Sequence, residues 1–101
     1  MKITLVQQEI IWGDKKANLT TFENIVKTLY GKTDLVVFPE MFSTGFSVDQ
    51  PELAEDTDGE AIQAIKSWAR EGNFAIASSF MASENGKSYN RGFFCQPDGT
   101  I

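Results

Sequence analysis

The strongest constraint on the fold is an unbroken apolar run, Leu35, Val36, Val37 and Phe38, that is followed directly by Pro39. A strand with apolar residues on both faces belongs in a covered, mostly parallel sheet. A shorter apolar run occupies residues 3–6. Between the two, apolar residues recur at helical spacing over residues 15–30, from a candidate N-cap at Asp14 to a candidate left-handed residue at Gly31. The order strand, helix, strand predicts a βαβ unit of an α/β fold.

The rest of the chain continues this alternation. Residues 40–59 show no periodicity and predict a long loop, which is typically either functional or disordered. Thr57 and Glu60 have the spacing of a capping box and predict the start of a second helix that ends at Gly72. Residues 74–81 predict a third strand. Asn85 and Gly86 then predict a type I′ turn into a return strand at residues 89–96.

Composition excludes several kinds of site and partner. The 101 residues include no His and one Cys, so this chain alone cannot form a Ser-His-Asp triad, a Cys-His pair, a His-ligated metal site or a disulfide. The net charge of −5 gives no electrostatic attraction to nucleic acid or to an anionic membrane. No segment resembles a signal peptide or reaches the ~20 apolar residues of a membrane span. We therefore expect one domain or part of one, in the cytoplasm, with no nucleic-acid or membrane partner.

Glu40 is the first candidate for chemistry, because it comes directly after Pro39 at the end of the predicted buried strand. Ligand sites of open α/β sheets gather at the carboxyl ends of the strands. A carboxylate that is partly withdrawn from water there suits a general base. A solvated, helix-capping or salt-bridging glutamate is the commoner outcome at such a position. On position alone, both interpretations stay open.

Aromatic residues follow this glutamate closely. Met41, Phe42 and Phe46 could form the walls of a small apolar pocket next to the carboxylate. Packing in the core beneath the loop is the commoner role of Phe and Met. Phe42 and Phe46 are therefore candidates for substrate binding, with core packing as the alternative.

These segments together resemble a known family. Residues 39–46 read PEMFSTGF and are preceded by Trp12, Gly13, Asp14 and Asn18, a combination that resembles the N-terminal part of the nitrilase superfamily, the carbon–nitrogen hydrolases. Residues 89–94, which read YNRGFF, and the PDG turn at residues 97–99 are similar to that family's hairpin. The PEMFSTGF segment is most similar to the omega-amidase branch, which hydrolyses the terminal amide of 2-oxo dicarboxylic acid monoamides.

The resemblance implies an architecture and a mechanism. The architecture is a four-layer α-β-β-α sandwich that pairs through its outer helices into homodimers or larger assemblies, and residues 1–101 would be the N-terminal portion of that single domain. The mechanism uses a Glu-Lys-Cys constellation in which Glu40 is the general base, the Cys attacks the amide carbon and the Lys helps to hold the oxyanion. The matching Lys and Cys are expected beyond Ile101, so we expect the 101 residues alone to be inactive. We expect no metal and no cofactor. The implied substrate is a small amide such as 2-oxoglutaramate.

Cys95 is a different kind of cysteine from the implied nucleophile. It lies before the turn at residues 97–99, its flanks are apolar, and Arg91 is the nearest cation in the sequence. Nothing in this setting lowers a thiol pKa. The pattern predicts a small buried apolar residue rather than a nucleophile.

Charge is distributed unevenly around the candidate base. Residues 33–65 contain eight acidic residues and no Lys or Arg. A cation site is one interpretation, but residues 49–60 lack EF-hand spacing, which favours a solvated loop and helix N-terminus. An anionic oxo-acid substrate needs a cation from outside this stretch. Arg91 is the candidate within this chain.

Two further functions stay open from the sequence. One is a different activity of the same superfamily, namely that of a nitrilase, a carbamoylase or an aliphatic amidase. The other is a non-catalytic α/β binding module that kept the fold without the chemistry, since the Lys and the nucleophile are absent from these residues.

Overall fold

Two helices and a four-stranded sheet make up the structure, a computed structural model that describes residues 1–101. The elements in chain order are β1 (Ile3–Leu5), α1 (Lys15–Lys27), β2 (Leu35–Val37), a 3-10 helix (Pro51–Leu53), α2 (Glu60–Gly72), β3 (Ala75–Glu84) and β4 (Lys87–Cys95). The sheet order is β1-β2-β3-β4, with the first three strands parallel and β4 antiparallel to β3. The predicted α/β class and the strand–helix–strand order are confirmed.

Helix α1 begins as predicted and ends earlier. The Asp14 side chain accepts a hydrogen bond from the Ala17 N–H at 3.1 Å, which satisfies one of the unpaired donors of the first turn. The prediction that the helix extends to residue 30 is wrong, because α1 ends at Lys27. Thr28 donates its backbone N–H to the carbonyl three residues earlier, which tightens the last turn and stops the α-helix. Gly31 has the expected left-handed conformation, with φ of +75°.

Helix α2 is not capped by the predicted residue. The N-cap is Gly59, and Thr57 makes no capping hydrogen bond. Instead, the Glu55 carboxylate accepts a hydrogen bond from the Ala61 N–H at 3.0 Å and pairs with the Lys15 ammonium at 2.9 Å. The capping-box prediction is therefore wrong, because the N-cap lies two residues later, at Gly59, and a carboxylate from the preceding loop accepts the first-turn hydrogen bond.

The segment between β2 and α2 is ordered rather than structureless. It contains the 3-10 helix, and Glu55 then pairs with the end of β3 through two backbone hydrogen bonds. The Glu55 N–H donates to the Met81 carbonyl at 2.9 Å, and the Ser83 N–H donates to the Glu55 carbonyl at 2.7 Å. The loop is thereby attached to the sheet shortly before α2 begins.

The hairpin of β3 and β4 has the predicted two-residue turn. Asn85 and Gly86 both have positive φ, +52° and +76°, as a type I′ turn requires. Glu84 pairs directly with Lys87 across the turn. Both strands extend closer to the turn than predicted, since β3 ends at residue 84 and β4 begins at residue 87. This long hairpin fixes which β4 residues lie near the carboxyl end of β2.

Both helices pack on one face of the sheet. The largest core cluster joins residues of α1, α2 and the strands, among them Phe22, Val26, Val36, Ile65, Trp68 and Ile76. Because side chains alternate along a strand, the neighbours of Val36 and Ile76 face the other way. That second face carries Ile3, Leu5 and Phe94, whose side chains are 56%, 74% and 52% exposed. The structure thus has one helix layer and one sheet layer, with an apolar sheet face in contact with solvent.

Neither 13-residue helix has the length and apolar character that crossing a lipid bilayer requires.

Candidate active site

Glu40 lies just past the carboxyl end of β2, as the sequence predicts. Its side chain is exposed and forms no ion pair with any Lys or Arg of the chain. One contact orients it: Asn90 of β4 donates from Nδ2 to Glu40 Oε2 at 2.5 Å. The expected withdrawal of this carboxylate from water is not found within these residues. What the structure shows is a carboxylate with one oxygen held by a neutral donor and the other free.

The backbone on either side of Glu40 is attached to β3. The Ser78 hydroxyl donates to the Pro39 carbonyl at 2.8 Å, and the Met41 N–H donates to the Ser79 hydroxyl oxygen at 2.9 Å. Met41 has φ of +53°, a left-handed conformation that costs a non-glycine residue about 1–2 kcal/mol. The two serine contacts hold this conformation and so fix the direction in which the Glu40 side chain leaves the chain.

Residues 39–46, which we call the Glu40 loop, are also held from the other side. The buried Asn18 side chain of α1 donates to the carbonyls of Ile11 and Ser43 at 2.7 and 2.9 Å and accepts from the Ile11 N–H at 2.9 Å. Gly45, with φ of +67°, lies so close to the Trp12 ring that an added Cβ would come within 2.5 Å of it. A side chain at this position would be strained, which favours glycine, and hydrogen bonds attach the loop at residues 39, 41 and 43.

The two candidate phenylalanines have different environments. Phe42 is fully buried against Phe22, Phe38 and Trp68, with ring centroids 5.4–6.4 Å apart, so in this structure it has a packing role. Phe46 is 45% exposed and meets the Trp12 ring edge-on at 6.1 Å. The structure thus leaves Phe46, and not Phe42, with surface that a ligand could contact.

A small cavity adjoins the Glu40–Asn90 contact. Its volume is about 260 Å³. It is lined by Met41, Phe46, Val48, Met81, Ser88, Tyr89 and Asn90. Most of this lining is apolar, and Ser88 and Asn90 are its polar residues. A compact group attached to an amide would fit a cavity of this size and polarity.

Arg91 is not brought to Glu40. Consecutive residues of a strand point to opposite faces, and Asn90 is the residue that reaches the carboxylate. Arg91 instead forms an ion pair with Glu84 at 3.6 Å and lies 5.8 Å from the Tyr89 ring centroid. It also lines a separate cavity beside α2 with Ile62. The candidate cation for an anionic substrate therefore lies on the helix side of the sheet.

Cys95 belongs to the core. It has no exposed surface and packs within the main hydrophobic cluster. Burial raises the pKa of its thiol, and the nearby charges of Lys66 and Arg70 oppose this shift. A buried thiol with a raised pKa is a poor nucleophile.

The acidic stretch forms no cation site. The structure contains no group of three or more Asp, Glu, Cys or His side chains placed to hold a metal ion. Glu55 is paired with Lys15, and Asp34 accepts a hydrogen bond from the Lys2 N–H at 2.6 Å. Asp34 and Glu55 thus each have a partner within the protein itself.

Sequence reasoning missed the residues that hold Glu40. Asn90 lies within the hairpin segment that resembles the family, and Ser79 lies within the predicted third strand, but nothing in the sequence places either of them next to residues 40 and 41. Their contacts span 50 and 38 positions along the chain. The turn at Asn85 and Gly86 sets the register of β4 against β3 and so indicates which residues face each other in the hairpin. Predicting the contacts with residues 40 and 41 also requires the path of the Glu40 loop, which no local pattern gives.

Comparison with known proteins relates this geometry to a family. Residues 2–101 match the carbon-nitrogen hydrolase family. The chain is 35% identical to an omega-amidase YafV from Yersinia enterocolitica, with 100% of this chain and 39% of the relative covered. It is 34% identical to an (R)-stereoselective amidase from a Pseudomonas species, with 98% of this chain and 37% of the relative covered.

A solved structure supports the fold at the same level. XC1258 from Xanthomonas campestris, described as a CN-hydrolase superfamily protein, superposes with a TM-score of 0.91 at 34% identity, covering 97% of this chain and 37% of that chain. The chain thus spans less than two fifths of the length of each of these three proteins. Because the family match extends over nearly every residue, the chain belongs to the carbon-nitrogen hydrolase family.

Proposed function

We propose that the protein containing this chain is an amidase that cleaves the C–N bond of a small linear amide, with Glu40 as its general base. The observation that carries this proposal is the placement of Glu40: its carboxylate lies at the strand end, Asn90 holds one oxygen, and the other is free. Membership of the carbon-nitrogen hydrolase family and relatives named as amidases support the reaction class.

The proposed reaction proceeds through a thioester. Glu40 takes the proton of a cysteine thiol, and the thiolate attacks the amide carbon to form a tetrahedral oxyanion that a lysine stabilises. The carboxylic acid then gives its proton to the departing nitrogen, so that ammonia leaves and the thioester forms. Glu40 next takes a proton from a water molecule whose oxygen attacks the thioester carbon. The C–S bond then breaks, the carboxylic acid product leaves, and Glu40 returns its proton to the cysteine sulfur, which restores both the thiol and the base. The Lys and Cys would lie in the remaining part of the protein, since Cys95 is buried in the core.

We propose 2-oxo acid monoamides such as 2-oxoglutaramate as the substrates. The PEMFSTGF segment and the relatives named omega-amidase support this choice. The mostly apolar cavity of about 260 Å³, which Met41 and Asn90 line next to Glu40, has room for the short carbon chain of such a compound. Because Arg91 pairs with Glu84 on the helix side, the cation for the substrate carboxylate would come from the remaining part of the protein.

A panel of substrates tests this function in the full-length protein. Ammonia release is measured for 2-oxoglutaramate and for glutaramate, a matched compound that lacks only the 2-oxo group. A nitrile and an N-carbamoyl amino acid complete the panel. We expect kcat/KM to be highest for 2-oxoglutaramate. A preference for the nitrile or the carbamoyl compound would replace the proposal with another activity of the family, and no ammonia from any of them would favour a non-catalytic binding module.

A further inference from the structure

The Glu40 carboxylate is held by a single group that is neither charged nor part of its own loop. Asn90 Nδ2 donates to Glu40 Oε2, and no Lys or Arg pairs with the carboxylate. A glutamate has flexible side-chain torsions, and an exposed one samples many rotamers unless a contact selects among them. An ionised carboxylate only accepts hydrogen bonds, so the Asn90 amide must present its NH₂ group to it.

The same hairpin also fixes the backbone from which Glu40 extends. Asn90 pairs with Met81 in the register of β3 and β4. Ser78 and Ser79 of β3 hold the residues on either side of Glu40. The backbone and the carboxylate of Glu40 are therefore both positioned by one antiparallel hairpin, with β3 holding the former and β4 the latter.

We propose that Asn90 is a positioning residue for Glu40: its amide holds Oε2 and leaves Oε1 as the oxygen that accepts the thiol proton. This inference rests on the proposed function. A neutral donor is suited to the role, because it orients the base without adding the strong cationic attraction that would weaken the base. An aspartate at this position would repel the carboxylate, and an alanine would leave it free to rotate.

Two variants of the full-length protein test this role with ammonia release from 2-oxoglutaramate. Asn90→Ala should lower kcat about 10- to 100-fold with KM nearly unchanged, because misplacing a catalytic group acts on the chemical step. The nearly isosteric Asn90→Asp should also move the acid limb of the pH–rate profile to higher pH, since a second negative charge favours the protonated carboxyl. Asn24→Asp makes the same amide-to-acid change on the exposed side of α1 and should leave the profile unchanged.

Several outcomes would overturn the inference. Wild-type kcat in Asn90→Ala would show that the contact does not matter for the reaction. A raised KM with unchanged kcat would make Asn90 a substrate contact instead, which its place at the border of the cavity would allow. An Asn90→Asp profile identical to that of the wild type would also contradict the inference, and this variant decides the question if Asn90→Ala fails to fold. If Glu40→Gln stays fully active, it is the proposed function that fails.

Discussion

At the scale of single residues, burial separates the cysteine of this chain from the carboxylate. Cys95 has no accessible surface, whereas Glu40 is exposed at the end of β2. Desolvation favours the neutral thiol over the thiolate, and so raises the pKa of Cys95. The two residues therefore differ in a property that any reaction requires, which is access to another molecule.

We expect Cys95 to be inert toward thiol reagents in the native protein. Labelling with iodoacetamide, followed by mass spectrometry of the Cys95 peptide, should be at least about 100-fold slower in buffer than in urea, because both the thiolate fraction and access are low. The folded state holds the thiol proton more tightly than the unfolded state. The raised pKa of Cys95 therefore contributes to the free energy of unfolding. That contribution is complete at pH values below the ordinary thiol pKa, and it is lost as the pH rises through the raised pKa of the folded state. Equal labelling in both states would contradict the burial of Cys95.

Residue positions were predictable from the sequence only where local pattern decides them. Glu40 could be placed at a strand end because the apolar run and Pro39 mark that end. The contact between Glu40 and Asn90 could not be predicted, because these residues are 50 positions apart and their contact depends on how the Glu40 loop crosses β3. The burial of Phe42 and the direction of Arg91 depend on packing for the same reason.

At the scale of elements, one carboxylate joins three parts of the fold. Glu55 caps α2 through the Ala61 N–H, pairs with Lys15 at the start of α1, and bonds through its backbone to β3. Its side chain is 9% exposed and that of Lys15 is 17% exposed, so the pair is shielded from solvent. We therefore expect Glu55 to contribute more to stability than an ordinary helix cap.

Substitutions at two neighbouring positions distinguish this cap from the one that sequence spacing suggests. Glu55→Ala should lower the free energy of unfolding by about 2–4 kcal/mol, because it removes a shielded charge pair and a charged hydrogen bond. Thr57→Ala should change it by less than about 0.5 kcal/mol, since Thr57 makes no capping contact. Urea denaturation of the full-length variants measures both. The opposite ranking would restore the capping box.

All the regular helices and strands except the 3-10 helix were predictable, because their apolar periodicity and turn residues are local signals. The residues at which these helices and strands end were less predictable. Helix α1 stops three residues early because its last turn tightens after Ile25 and Val26, and α2 takes its cap from a loop attached to β3. The ends of elements depend on contacts that lie outside the sequence window in which periodicity is read.

At the scale of the whole molecule, the sheet has one covered face and one apolar face open to solvent. Ile3, Leu5 and Phe94 are exposed on that open face, while the core cluster lies on the helix side. Exposed apolar faces of this kind favour association. The chain spans less than two fifths of the omega-amidase from Yersinia enterocolitica and of XC1258, and we propose that the remaining part of the protein covers this face.

Residues 1–101 produced alone should therefore lack a well-packed native state. We expect aggregation in size-exclusion chromatography, or a monomer that binds the dye ANS and melts without a sharp transition, because the open face has no partner. The full-length protein under the same conditions is the control. A monomeric fragment that melts sharply and cooperatively without binding ANS would contradict this account of the open face.

The proposed role of Glu40 as general base is tested most directly by one substitution in the full-length protein. Glu40→Gln keeps the size of the side chain and removes its basicity. We expect kcat for ammonia release from 2-oxoglutaramate to fall about 100- to 10,000-fold with the melting temperature unchanged. Glu23→Gln, the same change on α1 in an exposed pair with Lys27, should retain wild-type kcat. Wild-type kcat in a folded Glu40→Gln variant would contradict the claim.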